Sequence, residues 1–271
     1  PLDGFLAHGK QRPKRLLLFV HGMGGNFYRS EFKKEIMRQG PKAGWDVLSF
    51  NNRGCEGDVA FEPFEDCVHD IEAALRFGQS RGYREFVLVG HSTGCQKIAY
   101  YQICRKNPGI KALVLTAIGD DYAICRRDLK SRYSYWMNRA RHLVKKGRGD
   151  VLLPACCNTF SARRFLSIAD PNQVEAQLFY FEGPLRQFQK IRCPVLAVFP
   201  AREEFACMPV KKMARRLEEE TQSVHFKSIL IPGADHGFHG REMETARSIY
   251  QWLHDTGRAR SLPTLKRSGP R

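Results

Sequence analysis

At 271 residues, with 42% hydrophobic and 27% charged side chains, the chain can bury one large core and has the balance of an ordinary globular protein. No apolar run approaches the ~18 residues that a membrane-crossing helix requires. The formal net charge of +16 would suit nucleic acid or acidic lipid, or an anionic small substrate. However, the basic residues are dispersed over Lys33-Lys34, Arg126-Arg127, Lys145 to Arg148, Lys211-Lys212, Arg215-Arg216 and the tail, with no nucleic-acid motif, and they read as solvated faces.

The nine cysteines show no Cys-x-x-Cys pair and no metal-ligand spacing, a pattern of reduced thiols in a cytoplasmic protein. Cys156 and Cys157 are adjacent, which suits neither a metal site nor an ordinary disulfide. The chain opens at Pro1 without Met or a signal-like segment, the look of a trimmed start that leaves room for a removed targeting peptide.

In chain order, Leu2 to His8 reads as an edge strand and Arg15 to Val20 as a buried strand running into His21-Gly22-Met23-Gly24-Gly25. A dinucleotide-binding loop would need a glycine where Phe27 stands, so this is better read as a loop exposing backbone amides. Tyr28 to Gln39 is helical and is stopped by Gly40-Pro41. Trp45 to Phe50 is a strand, followed by the turn-rich Asn51-Asn52-Arg53-Gly54-Cys55-Glu56-Gly57-Asp58. Pro63 opens a helix with Phe64, Val68, Ile71 and Leu75 on one face. A strand at Phe86 to Val89, a helix at Cys95 to Asn107 and a strand at Lys111 to Ile118 complete a strand–helix rhythm, which calls for a mainly parallel sheet covered on both faces.

From Gly119 to Ile191 the rhythm breaks, with no convincing strands and helices expected at Arg132 to Lys146, Ser161 to Ala169 and Asn172 to Phe181. The first of these carries Tyr133, Tyr135 and Trp136. The rhythm resumes with strands at Cys193 to Pro200 and Val224 to Ile231, and helices from Pro209 and from Arg241 to Leu253. The expected organisation is a core of residues 1–118 and 192–257, a helical cap at 119–191, and a disordered basic tail at 258–271.

Gly90-His91-Ser92-Thr93-Gly94, between strand and helix, has the pattern of a nucleophile elbow. Such a turn raises the Ser92 hydroxyl above the sheet and aims the Thr93 amide at an oxyanion, with the Met23 amide as second donor. A serine hydroxyl needs a base and an orienter for that base. In the order Ser, acid, His, the base is His236, in the loop after the last strand; His239 is its competitor, read as a surface residue. The acid is expected in Ala201-Arg202-Glu203-Glu204-Phe205: Glu203 first, Glu204 next, with Asp120 or Asp121 as a separate option. His91 packs or bonds locally, and His21 orders the glycine loop. Gly24, Tyr135 and Trp136 are candidate substrate contacts, the aromatics competing with a role in the cap's own core. This chemistry requires no metal or organic cofactor.

With these residues in place the chain resembles the α/β-hydrolase superfamily over nearly its whole length. It is most similar to a little-characterised family of unknown function that includes fungal siderophore-esterase-like proteins. The narrower match rests on Gly90 to Lys97 with Tyr100-Tyr101, on Asn51 to Gly54, and on Gly233-Ala234-Asp235-His236 with Gly240-Arg241-Glu242. The resemblance implies an α/β-hydrolase fold with a helical cap inserted between core strands, and a small-molecule ester substrate; the aromatic, basic cap would suit a polar or anionic one. An acyltransferase or thioesterase using the same triad, or a non-catalytic ligand-binding protein on the scaffold, would show the same motifs. The superfamily's acid is usually Asp, so Glu203 departs from the pattern.

Overall fold

In the computed structural model, residues 2–10, 13–155 and 158–261 are described. Strands β1 (Gly4–Ala7), β2 (Arg15–Val20) and β3 (Asp46–Phe50) are joined through helix α1 (Glu31–Gln39). Then α2 (Cys67–Ser80), β4 (Glu85–His91), α3 (Gly94–Arg105) and β5 (Ile110–Thr116) follow. An insertion carries α4 (Asp121–Leu129), α5 (Tyr133–Lys145), the hairpin β6 (Leu152–Ala155) and β7 (Asn158–Ser161), α6 (Ala162–Ala169) and α7 (Val174–Leu178). The chain returns through β8 (Val195–Pro200), α8 (Val210–Glu220), β9 (Phe226–Ile231) and α9 (Glu242–Ser261).

Among the described residues the sheet has seven strands in the order β1-β3-β2-β4-β5-β8-β9, and only the β1–β3 pairing is antiparallel. Strand periodicity decides what each face carries. Leu16, Leu18 and Leu88 point into one apolar layer with Val68, Ile71 and Leu75 of α2 and Ile98 of α3. Leu17, Phe19, Val87 and Val89 point into the other, against Phe32 and Ile36 of α1 and Ile249 and Leu253 of α9. This is the α/β-hydrolase architecture, a mainly parallel sheet wound on both faces.

Two expectations give way. The insertion is not wholly helical: β6 and β7 pair antiparallel, Leu152 opposite Ser161. With Leu153 and Phe160 buried among Leu129, Met137, Leu143 and Phe165, the hairpin closes a separate apolar cluster. The basic tail does not begin at 258 either, since α9 continues to Ser261; residues 262–271, like Cys156 and Cys157, lie outside the described residues.

Candidate active site

Sequence dictates the elbow. β4 is apolar and buried from Phe86 to Gly90, and Ser92 then takes φ 56°, left-handed backbone that costs a side-chain-bearing residue ~1–2 kcal/mol. A Cβ at Gly90 would strike the Gly94 carbonyl, and one at Gly94 the Val20 carbonyl of the neighbouring strand, so both positions require glycine. The turn is closed by Ser92 N–H to the Thr116 carbonyl at 3.0 Å and Cys95 N–H to the Ser92 carbonyl at 2.9 Å.

Ser92 lines a cavity of about 270 Å³ together with His236, His21, Met23, Gly24 and Lys33. His236 reaches it from the loop after β9. That loop is tied to the loop after β8 by Arg202 N–H to the Ala234 carbonyl at 2.8 Å and by the His236 N–H to Glu204 Oε2 at 2.9 Å. The imidazole Nδ1 of His236 pairs with Glu203 Oε1 at 2.8 Å, which also accepts the Phe205 N–H at 3.1 Å. Because a carboxylate only accepts, the proton of the neutral ring sits on Nδ1, and in that tautomer Nε2 holds the lone pair. Phe205 and His91 pack on the His236 ring at 4.7 and 5.0 Å between centroids. Phe238, also at positive φ, sits 4.8 Å from Phe32 and pins the loop to α1.

The other acidic candidates are occupied elsewhere. Asp120 caps α4 by accepting the Ala123 N–H at 2.9 Å and takes the Phe181 N–H with its second oxygen. Asp121 accepts from Gln96 Nε2 at 3.0 Å, and burial with the nearby Glu175 carboxylate raises its pKa to about 8. Glu204 holds the loop backbone rather than the ring, and His239 pairs with Asp235 on the surface. Tyr135 is exposed, and Trp136 packs on the insertion's own cluster; neither lines the cavity.

The glycine loop is fixed by the turn after β3. Buried His21 donates Nδ1–H to the Gly22 carbonyl at 2.8 Å and accepts the Asn52 N–H at Nε2, 3.2 Å away. Burial, with Lys97 nearby, holds its pKa at about 3, so it stays neutral and keeps both bonds. Gly24 N–H donates to the Gly54 carbonyl and Glu56 N–H to that of Gly25. Arg53 braces this turn on Asp70 with its backbone and guanidinium at 2.8–2.9 Å. The Met23 and Thr93 amides take no part in these backbone bonds. His91 donates Nε2–H to the His236 carbonyl at 2.8 Å, and burial with His236 alongside keeps its pKa at about 3.

Beneath the elbow helix lies a buried ionic network that sequence reasoning missed. Lys97 Nζ meets Glu62 Oε1 at 2.5 Å, Arg164 of α6 pairs with Glu62 at 3.4 Å, and Arg164 also holds Glu175 of α7. Lys33, read from sequence as part of a solvated face, is buried on the cavity side of α1. Its place beside Phe32 and before Ile36, both apolar, was the available signal.

A family described as "Protein of unknown function (DUF1749)" matches residues 4–254. The chain belongs to this family. A curated relative, a UPF0613 protein of Schizosaccharomyces pombe, is 24% identical over 149 residues, 52% of the chain and 47% of that protein, so the chain spans about half the length of the curated relative it matches. Solved structures of similar fold include the siderophore hydrolase EstB from Aspergillus fumigatus, at TM-score 0.68 and 18% identity over 95% of this chain and 94% of that one. A monoacylglycerol lipase from Paleococcus ferrophilus has TM-score 0.70 at 18% identity, covering 94% and 99%. Est1E from Butyrivibrio proteoclasticus, with ferulic acid bound, has 0.66 at 15%, covering 94% and 95%. At these identities the DUF1749 chain shares their fold, and no helix among its described residues is long and apolar enough to cross a membrane.

Proposed function

We propose that this family member is a serine hydrolase that cleaves a carboxylic ester of a small molecule through an acyl-enzyme. The observation that carries this reading is the Nδ1–Oε1 pairing of His236 with Glu203, on a histidine lining the same cavity as the elbow serine. With Nδ1 protonated, Nε2 takes the Ser92 proton as Oγ attacks the ester carbonyl. The Met23 and Thr93 amides receive the oxyanion, each such donor being worth ~2.7–4 kcal/mol of barrier. The proton passes to the leaving alcohol, and a water deprotonated at Nε2 then releases the acid. The like-named activities of EstB and the lipase agree with this chemistry.

In the same reading, the insertion at 119–191 is a cap. Met23, on the glycine loop, packs against the insertion's apolar cluster, so cap and oxyanion donors share a contact. A cavity of about 270 Å³ suits a small acyl or alcohol group rather than a polymer. The test is labelling by a fluorophosphonate probe: wild type reacts and Ser92→Ala does not. Undiminished labelling of Ser92→Ala removes Ser92 as nucleophile.

A further inference from the structure

We propose that Lys33 forms an anion-binding subsite beside Ser92, so that the preferred ester carries a carboxylate close to its scissile bond. This rests on the hydrolase reading above and specifies its substrate class.

Lys33 is 2% exposed yet lines the cavity. Its Nζ lies 5.5 Å from the Phe19 ring centroid, and it has no ion pair or hydrogen bond to a side chain among the described residues. The other fully buried cations differ: Lys97 has Glu62, and Arg164 has Glu62 and Glu175. A buried ammonium without a carboxylate is costly, and such groups are ordinarily paired. Burial accordingly pulls its pKa to about 8, with the Cys55 thiol opposing and Lys34 adding to the fall. An incoming carboxylate would supply the missing partner.

Three further features favour an anion. Among the described residues no Asp or Glu lines the cavity, while His21 and His91 beside it are neutral. Arg29, at the rim, is already engaged with Glu56 at 3.4 Å. Finally, Ser30 caps α1 by accepting the Lys33 N–H, which puts Lys33 in the first helical turn. A helix N-terminus is the positive end of its dipole and disfavours a cation there. Lys33 therefore stands against both burial and the helix, and an anion in the cavity relieves both.

The test compares kcat/KM for matched ester pairs: p-nitrophenyl hydrogen glutarate against p-nitrophenyl valerate, and para-acetoxybenzoate against para-acetoxybenzamide. The first pair places the carboxylate on the acyl side and the second on the alcohol side. Wild type should prefer the anionic member of at least one pair. Lys33→Met should lower that anionic-to-neutral ratio by about tenfold or more, the scale of one charge-assisted bond. Lys34→Met, an exposed residue paired with Glu31, should leave the ratio as it is. An unaltered ratio in Lys33→Met overturns the proposal; should that variant not fold, Lys33→Gln takes its place under the same criterion. If wild type turns over neither pair, the hydrolase reading is what has failed. The subsite is then judged by calorimetry with glutarate: binding to Ser92→Ala that disappears in Ser92→Ala/Lys33→Met supports it. Binding that persists in the double variant, or no binding to either, overturns it.

Discussion

Glu203→Gln is the perturbation that most directly probes the proposed chemistry. Oε1 of Glu203 accepts two hydrogens, from His236 Nδ1 at 2.8 Å and from the Phe205 amide at 3.1 Å. A glutamine that turned its NH2 toward His236 would face the Phe205 N–H with a second donor, so the amide is held with its oxygen inward. The ring then keeps the tautomer with Nδ1 protonated, and the loss is confined to the carboxylate's charge. A hydrogen bond to a charged partner is worth ~1.5–3 kcal/mol and the neutral one that remains ~0.5–1.5, a loss of ~1–1.5 kcal/mol. At 1.36 kcal/mol per decade, kcat should fall about 5- to 13-fold. A substitution that inverted the tautomer would cost about ten-thousand-fold. Steady-state hydrolysis of p-nitrophenyl butyrate, with Glu204→Gln in parallel, measures this. Full activity in Glu203→Gln beside a disabled Glu204→Gln would refute the assignment of the acid. A collapse in Glu203→Gln to the level of Ser92→Ala would refute the argument that Phe205 holds the amide in place.

Lys97→Met should destabilise the fold by ~3–5 kcal/mol, because Glu62 is left with a buried charge only partly matched by Arg164, and adding Glu62→Gln should restore part of the loss. Denaturant unfolding reads this directly, and a change below about 1 kcal/mol would contradict a buried pair there. Asp121→Asn should make stability less sensitive to alkali. The carboxyl's pKa is raised in the folded protein from 3.8 to about 8, so its contribution is whole below the lower value and gone once pH has risen through the upper. Wild type should therefore lose stability relative to Asp121→Asn between mildly acidic and mildly alkaline buffers; a constant difference would show that Asp121 does not titrate in this way.

What could be read from the sequence was local. The elbow announces itself in five residues, and the core strands in apolar runs whose neighbours are turn formers. Topology pointed to the loop after the strand ending at Pro200 for a carboxylate facing His236, and Glu203 Oε1 lies 2.8 Å from the His236 Nδ1. The hairpin at 152–161 escaped because each strand has four residues and one contains Pro154, too little for periodicity to register. Helix α9 outran its expected end because Thr256 and Gly257 resemble a stop, whereas the helix continues through them. Lys33 was lost to the habit of reading charges as solvated. The Lys97–Glu62–Arg164–Glu175 network lay beyond reach for another reason: Glu62 and Arg164 are far apart in the chain and acquire their partners only on folding.

That network also bears on how such a protein can diversify. Lys97 stands five residues past Ser92, and Glu62, which neutralises it, simultaneously grips a guanidinium from the insertion. Exchanging the insertion wholesale for a foreign one would strand ions that had been solvated only by each other, directly under the Ser92 turn. The fold thereby favours new specificities that arise by altering individual side chains on the existing lobe, and resists those that require importing another.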